Sequence, residues 1–282
     1  RNIEINPARQ AGRLKMRRDI SGLKGAKELG RILKVMLMKK RTGTVLKIVV
    51  IVILAVLFLL AVAGAYFAIK GYKMYASAVE ETPIEEKVES IRSMDNFIEF
   101  EELPEIYVDA VISVEDKRFW THGGIDFLAI MRAVWKDITT FSFAEGGSTI
   151  TQQLMKNQYF TQEKKLERKF AEVFAAVALE KEYSKEDIFE LYVNTIYFGS
   201  GYYGIYDAAQ GYFGKEPSEL TEYEAVMLAG LPNAPSAYSP DTSPELAVQR
   251  TNQVLERMVA CGVISQEKAD SIASQGLVQA GG

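Results

Sequence analysis

Residues 114–126 read VEDKRFWTHGGID and hold the chain's one histidine, His122, the adjacent acids Glu115 and Asp116, and the pair Gly123–Gly124. Upstream, Pro104 opens an apolar pattern (Ile106, Ala110, Val111, Val114) at helical spacing, which predicts a helix with proline at its start. Glu115 falls near the end of that helix, and HGG at 122–124 is read as the stop. A carboxylate there meets the negative end of the helix dipole, which raises its pKa and suits it to general-base work. An ordinary exposed helix-end acid has the same sequence signature, and residue type alone does not choose between them. His122 lacks a second nearby ligand for a metal, since Cys261 is far off in sequence. A packed, hydrogen-bonded role is expected for it.

Further upstream, Ile48 to Ile69 (IVVIVILAVLFLLAVAGAYFAI) is uncharged for 22 residues between Lys47 and Lys70. As a helix it is about 33 Å long, enough to cross a hydrocarbon core of about 30 Å. A signal peptide has a shorter apolar run followed closely by a cleavage site. KGYKMYASAVEE at 70–81 offers only Ala76–Ala78 for cleavage, so a single uncleaved transmembrane helix is expected. The net charge of −4 conceals a division: residues 1–47 carry fourteen Lys/Arg and three Asp/Glu, a net of +11, leaving −15 for the remainder. Basic residues gather on the cytoplasmic side. The basic arm 1–47 is therefore expected inside and everything after Lys70 outside. Its nearest anionic partner is membrane lipid rather than nucleic acid.

Residues 70–103, which include EETPIEEK, mix charges and read as a stalk or linker. Residues 104–282 are expected to form one mainly α domain, held by its core because Cys261 is the only cysteine. The stretch 125–143, IDFLAIMRAVWKDITTFSF, is more apolar than a small domain's surface needs. It reads equally as buried core or as a segment dipping into the outer leaflet. From Lys164 to about Glu182, Leu166, Phe170, Val173, Phe174 and Val177 form one apolar stripe, with Lys165, Arg168 and Glu172 roughly opposite. SKED at 184–187 and TEYE at 221–224 read as capping boxes, and SQEK at 265–268 as the start of a last helix.

Two polar constellations stand out. GGSTITQQLMKN at 146–157 strings Ser148, Thr149, Thr151, Gln152 and Gln153 after two glycines and adds Lys156 and Asn157. Hydroxyls, amides and one ammonium suit sugar hydroxyls and phosphate oxygens. A helix cap would account for Ser148 alone. KKLERKFAE at 164–172 sets Lys164, Lys165, Arg168 and Lys169 around Glu172. It is either a solvated face with an Arg168–Glu172 pair or a cationic cradle for a diphosphate.

Taken in order, EDKRFWTHGG, GGSTITQQLMKN, RKFAE, KEDIFELYVNTIYFGSGYYGIYDAAQGYFGK and LAGLPNAPSAYSP resemble the five-motif signature of the peptidoglycan glycosyltransferases, family 51. The match runs from about Ile106 to Pro240, with weaker similarity through RTNQVLERMV at 250–259. The resemblance implies a helical, lysozyme-like head with a small membrane-associated lobe, about residues 125–160. That implication favours the leaflet reading of 125–143. It further implies polymerisation of lipid II into β-1,4-linked glycan, with inversion at the donor anomeric carbon and release of undecaprenyl diphosphate.

Carried over by position, Glu115 matches the catalytic base and Glu172 the acid that assists the departing diphosphate. A divalent cation, Mg or Mn, is allowed there without being required. Lys156, Arg168 and Lys169 match cations near the diphosphates. Lys164 is the nearest counterpart of a family arginine and lacks its bidentate fork. Ser148, Thr149, Gln152, Gln153, Asn157 and Asn194 match substrate-contacting or site-shaping positions. Partners implied are lipid II, the lipid-linked glycan, membrane lipid, and proteins of cell-wall synthesis or division. The implied location is the bacterial cytoplasmic membrane, single-pass, with the catalytic domain on the outer face.

Two rival readings differ in class. A lysozyme-like hydrolase would use two carboxylates and water, but the STITQQLMKN and RKFAE pair argues against it. A lipid II-binding scaffold without turnover should have lost one of the acids, yet both are present. SQEK fits the S-x-x-K of a transpeptidase, but no S-x-N or K-T-G accompanies it. Ser265 is read as a helix cap, and no transpeptidase is expected within this sequence.

Overall fold

The computed structural model describes residues 7–140, 147–160 and 165–279. It divides into two units, Arg1–Ala65 and Tyr66–Gly282. In the first unit the secondary structure is helical from Pro7, within α1 (Pro7–Glu81). Among the described residues one helical stretch, Leu46–Glu81, is long and apolar enough to cross a membrane, and its most apolar window has none of its surface buried. Exposed Ile, Leu, Val and Phe run along it from Leu46 to Val62, as a helix meant for lipid requires.

The second unit is helical: α2 (Ile84–Arg92), α3 (Glu105–Glu115), α4 (Phe127–Thr140), α5 (Ile150–Tyr159), α6 (Leu166–Glu182) and α7 (Lys185–Val193) come first. A two-stranded antiparallel hairpin follows, β1 (Tyr197–Gly199) and β2 (Tyr202–Tyr203). Then come α8 (Ile205–Phe213), α9 (Glu222–Gly230), α10 (Pro235–Tyr238), α11 (Pro244–Cys261) and α12 (Gln266–Gln279). Mainly α is therefore right.

Helices α3, α9 and α11 pack on one another, and α5 lies against α6 and α7. Tyr107, Phe119, Ile150, Leu154, Phe189 and Tyr192 fill the space between these groups. The capping boxes at Ser184–Asp187 and Thr221–Glu224 form as read, and Ser265 Oγ accepts from the Lys268 amide at the start of α12.

Three expectations need correction. Residues 84–103 are not a stalk: Ile84, Val88, Ile91 and Leu103 join the core, and Arg92 pairs with Glu190 at 2.8 Å. The charges that suggested a linker lie on the outer face of an amphipathic helix. Second, α3 ends at Glu115, where Asp116 leaves helical geometry (φ −155°, ψ 75°), well before HGG.

Third, the apolar stripe of α6 is not its core face. Ala171, Glu172, Ala175, Ala176 and Leu179 are buried, while Phe174 meets Tyr72 and Tyr75 from the end of α1 at ring separations of 5.4 and 6.4 Å. A Cβ added at Gly71 would lie 2.4 Å from Phe170 Cβ, so only glycine lets the two helices approach this closely.

Candidate active site

The C-terminus of α3 and the N-terminus of α5 are held together by Asp116. Its buried carboxylate accepts the Ile150 amide at 3.1 Å and lies 2.8 Å from His122 Nε2. Ile150 is the first residue of α5, so Asp116 satisfies an amide with no partner inside the helix and favours that positive end. His122 is thus packed and hydrogen-bonded, as expected, with its side chain only 5% exposed. Gly124 adjoins the same join, with a left-handed φ of 74° and the space for a Cβ taken by the Ala176 backbone at 3.0 Å. Its carbonyl accepts from Thr149 Oγ1 at 2.8 Å.

With α5 fixed in this way, successive turns present Gln153 and Lys156. Gln153 Nε2 donates to Glu115 Oε2 at 2.8 Å. Glu115 Oε1 is buried and has no hydrogen-bond partner among the described residues. Burial pushes the Glu115 carboxyl up, opposed by the Gln153 hydrogen bond, Arg250 and Lys156 and aided by Asp116. The raised pKa thus follows chiefly from desolvation, where the sequence pointed to the helix dipole. Glu115 also lines a cavity of about 330 Å³.

On α6, Glu172 is 1% exposed and is held by Arg168 Nε at 2.9 Å and Lys169 Nζ at 2.8 Å. Lys169 Nζ also donates to Ser148 Oγ at 2.7 Å. Lys156 feels the charge of both acids. Burial pulls its ammonium down, while Glu172 and Glu115 both raise it and Arg168 and Lys169 lower it further. Two carboxylates 57 positions apart in sequence therefore both act electrostatically on one lysine.

The remaining residues sort less simply. Thr149, rather than Ser148, caps α5. Its Oγ1 accepts the Gln152 amide at 3.1 Å and Gln152 Oε1 accepts the Thr149 amide at 3.1 Å, both residues being buried. They shape the site by ordering the start of α5. Asn194 is likewise structural: Oδ1 accepts from the Ile98 amide and Nδ2 donates to the Ile98 and Glu190 carbonyls, at 2.8–2.9 Å. Asn157 is exposed near the end of α5. Lys164 lies outside the described residues. Sequence reasoning missed Arg132, Asn233, Arg250 and Arg257, which share the cavity with Glu115. The i, i+7 spacing of Arg250 and Arg257 was the available signal.

The cation allowed at Glu172 finds a poor ligand set, because both carboxylate oxygens already face cations. Among the described residues the one group with metal-ligand spacing is Asp116, His122 and Asp126. Its charges are already matched: Arg118 Nε donates to Asp126 at 2.8 Å and holds that carboxyl down at about 2.

A helical unit that sets Glu115 beside Gln153 and a polar cavity, with Glu172 enclosed by Arg168 and Lys169, is the candidate site of an enzyme. The family model described as Transglycosylase matches residues 82–259, and the chain belongs to that family, the peptidoglycan glycosyltransferases. It is 45% identical over 181 residues to penicillin-binding protein 1A of Aquifex aeolicus, covering 64% of this chain and 25% of that protein. Penicillin-binding protein 1F of Bacillus subtilis is 45% identical over 172 residues, 61% of this chain and 24% of the relative. A Cupriavidus necator protein named as a transglycosylase is 38% identical over 214 residues, 76% of this chain and 91% of its own length. The chain thus spans about a quarter of the length of the penicillin-binding proteins it matches.

Proposed function

We propose that this protein polymerises lipid II, with Glu115 as general base and Glu172 assisting departure of the diphosphate. The observation that carries the reading is the pair formed by Glu115, whose buried Oε1 has no partner among the described residues while Gln153 holds Oε2, and Glu172, enclosed by Arg168 and Lys169. Glu115 Oε1 takes the proton of the acceptor's 4-hydroxyl, and Gln153 orients the carboxylate through Oε2. The hydroxyl oxygen attacks the donor's anomeric carbon from the face opposite the diphosphate, so the configuration inverts. The C–O bond to the lipid diphosphate breaks, and Lys156, Arg168 and Lys169 receive its charge.

Glu172 keeps Arg168 and Lys169 in place and spaced from one another, so the cradle is preorganised before substrate arrives. A diphosphate is already a good leaving group, which weakens the need for a strong general acid; the hydrolase alternative is disfavoured by the STITQQLMKN and RKFAE pair. Membrane topology follows the charge division: the basic arm lies inside and the catalytic unit outside, where lipid II is presented. Proteins of cell-wall synthesis or division are the partners this role calls for.

Polymerisation of labelled lipid II tests the reading. Wild type should build lysozyme-sensitive polymer, Glu115→Gln should lose on the order of 10²–10⁴-fold in rate, and Glu172→Gln should also fall steeply. A folded wild-type protein that binds lipid II without extending it would establish the scaffold reading instead. Release of short glycans from preformed peptidoglycan would favour the hydrolase.

A further inference from the structure

Gln153 meets Glu115 through an amide whose two ends are alike in size and opposite in function, Nε2 donating and Oε1 accepting. Only the donating end suits an ionised carboxylate. Turned over, the amide would set its oxygen against Glu115 Oε2, two acceptors with no proton between them. Which end faces Glu115 therefore depends on what the far end of the amide meets.

The far end meets Tyr192. This residue stands on α7, so the acid, the amide and the phenol come from three different helices, α3, α5 and α7. Tyr192 is 1% exposed, and its hydroxyl donates to Gln153 Oε1 at 3.5 Å while Gln153 Nε2 donates to Glu115 Oε2 at 2.8 Å. The outer bond is long, as hydrogen bonds around a catalytic group often are before substrate is bound. Burial pushes the phenol's ionisation well above the ordinary tyrosine value, helped by the charge of Glu115, by Tyr107 and by Asp116. Tyr192 thus stays a neutral donor and does not compete with Glu115 for a proton.

Tyr107 supplies the contrast. It is also fully buried and also feels the charge of Glu115, but its hydroxyl has no hydrogen-bond partner among the described residues. Of these two buried phenols, only Tyr192 is joined to the amide that holds the base.

We infer that Tyr192 is a positioning residue, whose hydroxyl fixes the Gln153 amide with Nε2 toward Glu115 and so keeps the base aligned with Oε1 left for the acceptor. Its effect on turnover rests on the polymerase reading; the orientation of the amide does not. Without the hydroxyl, Gln153 Oε1 loses its donor, and nothing at the far end opposes rotation of the amide. Glu115 then loses the hydrogen bond that orients it, although no group that touches substrate has been removed.

Two measurements on full-length protein test this, each made on wild type, Tyr192→Phe and Tyr107→Phe. In lipid II polymerisation, Tyr192→Phe should lower kcat about tenfold, the size of one buried hydrogen bond, with the lipid II KM unchanged because the ring and its packing remain. Tyr107→Phe should keep the wild-type kcat. Without substrate, 15N NMR of the Gln153 side-chain amide should show its protons exchanging with water faster in Tyr192→Phe than in wild type or Tyr107→Phe. An unaltered kcat in Tyr192→Phe, or an equal fall in both variants, overturns the inference and leaves the polymerase reading intact. Amide exchange unchanged in Tyr192→Phe overturns it whatever the kinetics show. A wild type that makes no polymer overturns the polymerase reading, and the exchange measurement still decides the orientation of Gln153.

Discussion

At the residue scale, Glu115 shows how enclosing a carboxyl costs stability. Burial raises its folded-state pKa above that of the unfolded chain. The folded protein therefore binds the extra proton in the window between the two values, and stability falls as pH rises through it. Above the folded pKa the cost is complete. Glu115→Gln removes it, so the variant should melt higher than wild type at pH 8, and the gap should close as pH falls toward 4. Thermal melts at several pH values check this, and a variant that melts lower at pH 8 would contradict it. Asn194 is the opposite case. Its buried side-chain amide makes three hydrogen bonds, two to the Ile98 backbone and one to the Glu190 carbonyl of α7. Asn194→Ala should lose about 1–3 kcal/mol of stability, with kcat retained by the folded fraction. A fall in kcat with unaltered melting would restore it to the substrate site.

At the scale of elements, much of the fold was legible in the sequence because its signals are local. Capping boxes, the proline start of α3 and helical periodicity each act within a few residues. What was not legible depends on contacts distant in sequence. Nothing near Glu172 says that the polar face of α6 is the buried one, or that the apolar stripe meets the end of α1. Small residues at Ala171, Ala175 and Ala176 let α6 pack closely on its Glu172 side, and no periodicity of large apolar residues reports that. Thr149 and Gln152 read in the sequence as either substrate-contacting or site-shaping, because a run of hydroxyls and amides resembles a sugar site, and the same run holds a capping box. The α1–α6 contact can be tested at Gly71. A side chain there meets Phe170 and the α6 backbone, so Gly71→Leu should speed amide hydrogen exchange across residues 66–81 and 166–175. Exchange unchanged from wild type would mean that this contact does not order either helix.

At the scale of the molecule, the fold leaves an apolar surface that a water-facing head would not keep. Phe127, Leu128, Met131 and Trp135 on α4 are each 63–71% exposed, which removes the buried-core reading of 127–135; residues 141–143 lie outside the described ones. A contiguous apolar helix face of this kind marks a membrane or protein contact, and on the polymerase reading proposed above the substrate's tail stays in lipid. The leaflet reading accounts for both with one surface. It predicts that Leu128→Glu with Met131→Glu leaves melting within about 0.5 kcal/mol of wild type, because exposed positions carry little packing. Polymerisation of long-chain lipid II in liposomes should fall, while a short-chain, water-soluble lipid II analogue should be extended at the wild-type rate. Equal loss on both substrates would place α4 in the catalytic unit's own architecture rather than in the membrane. Retention of both activities would mean that the exposed face serves neither.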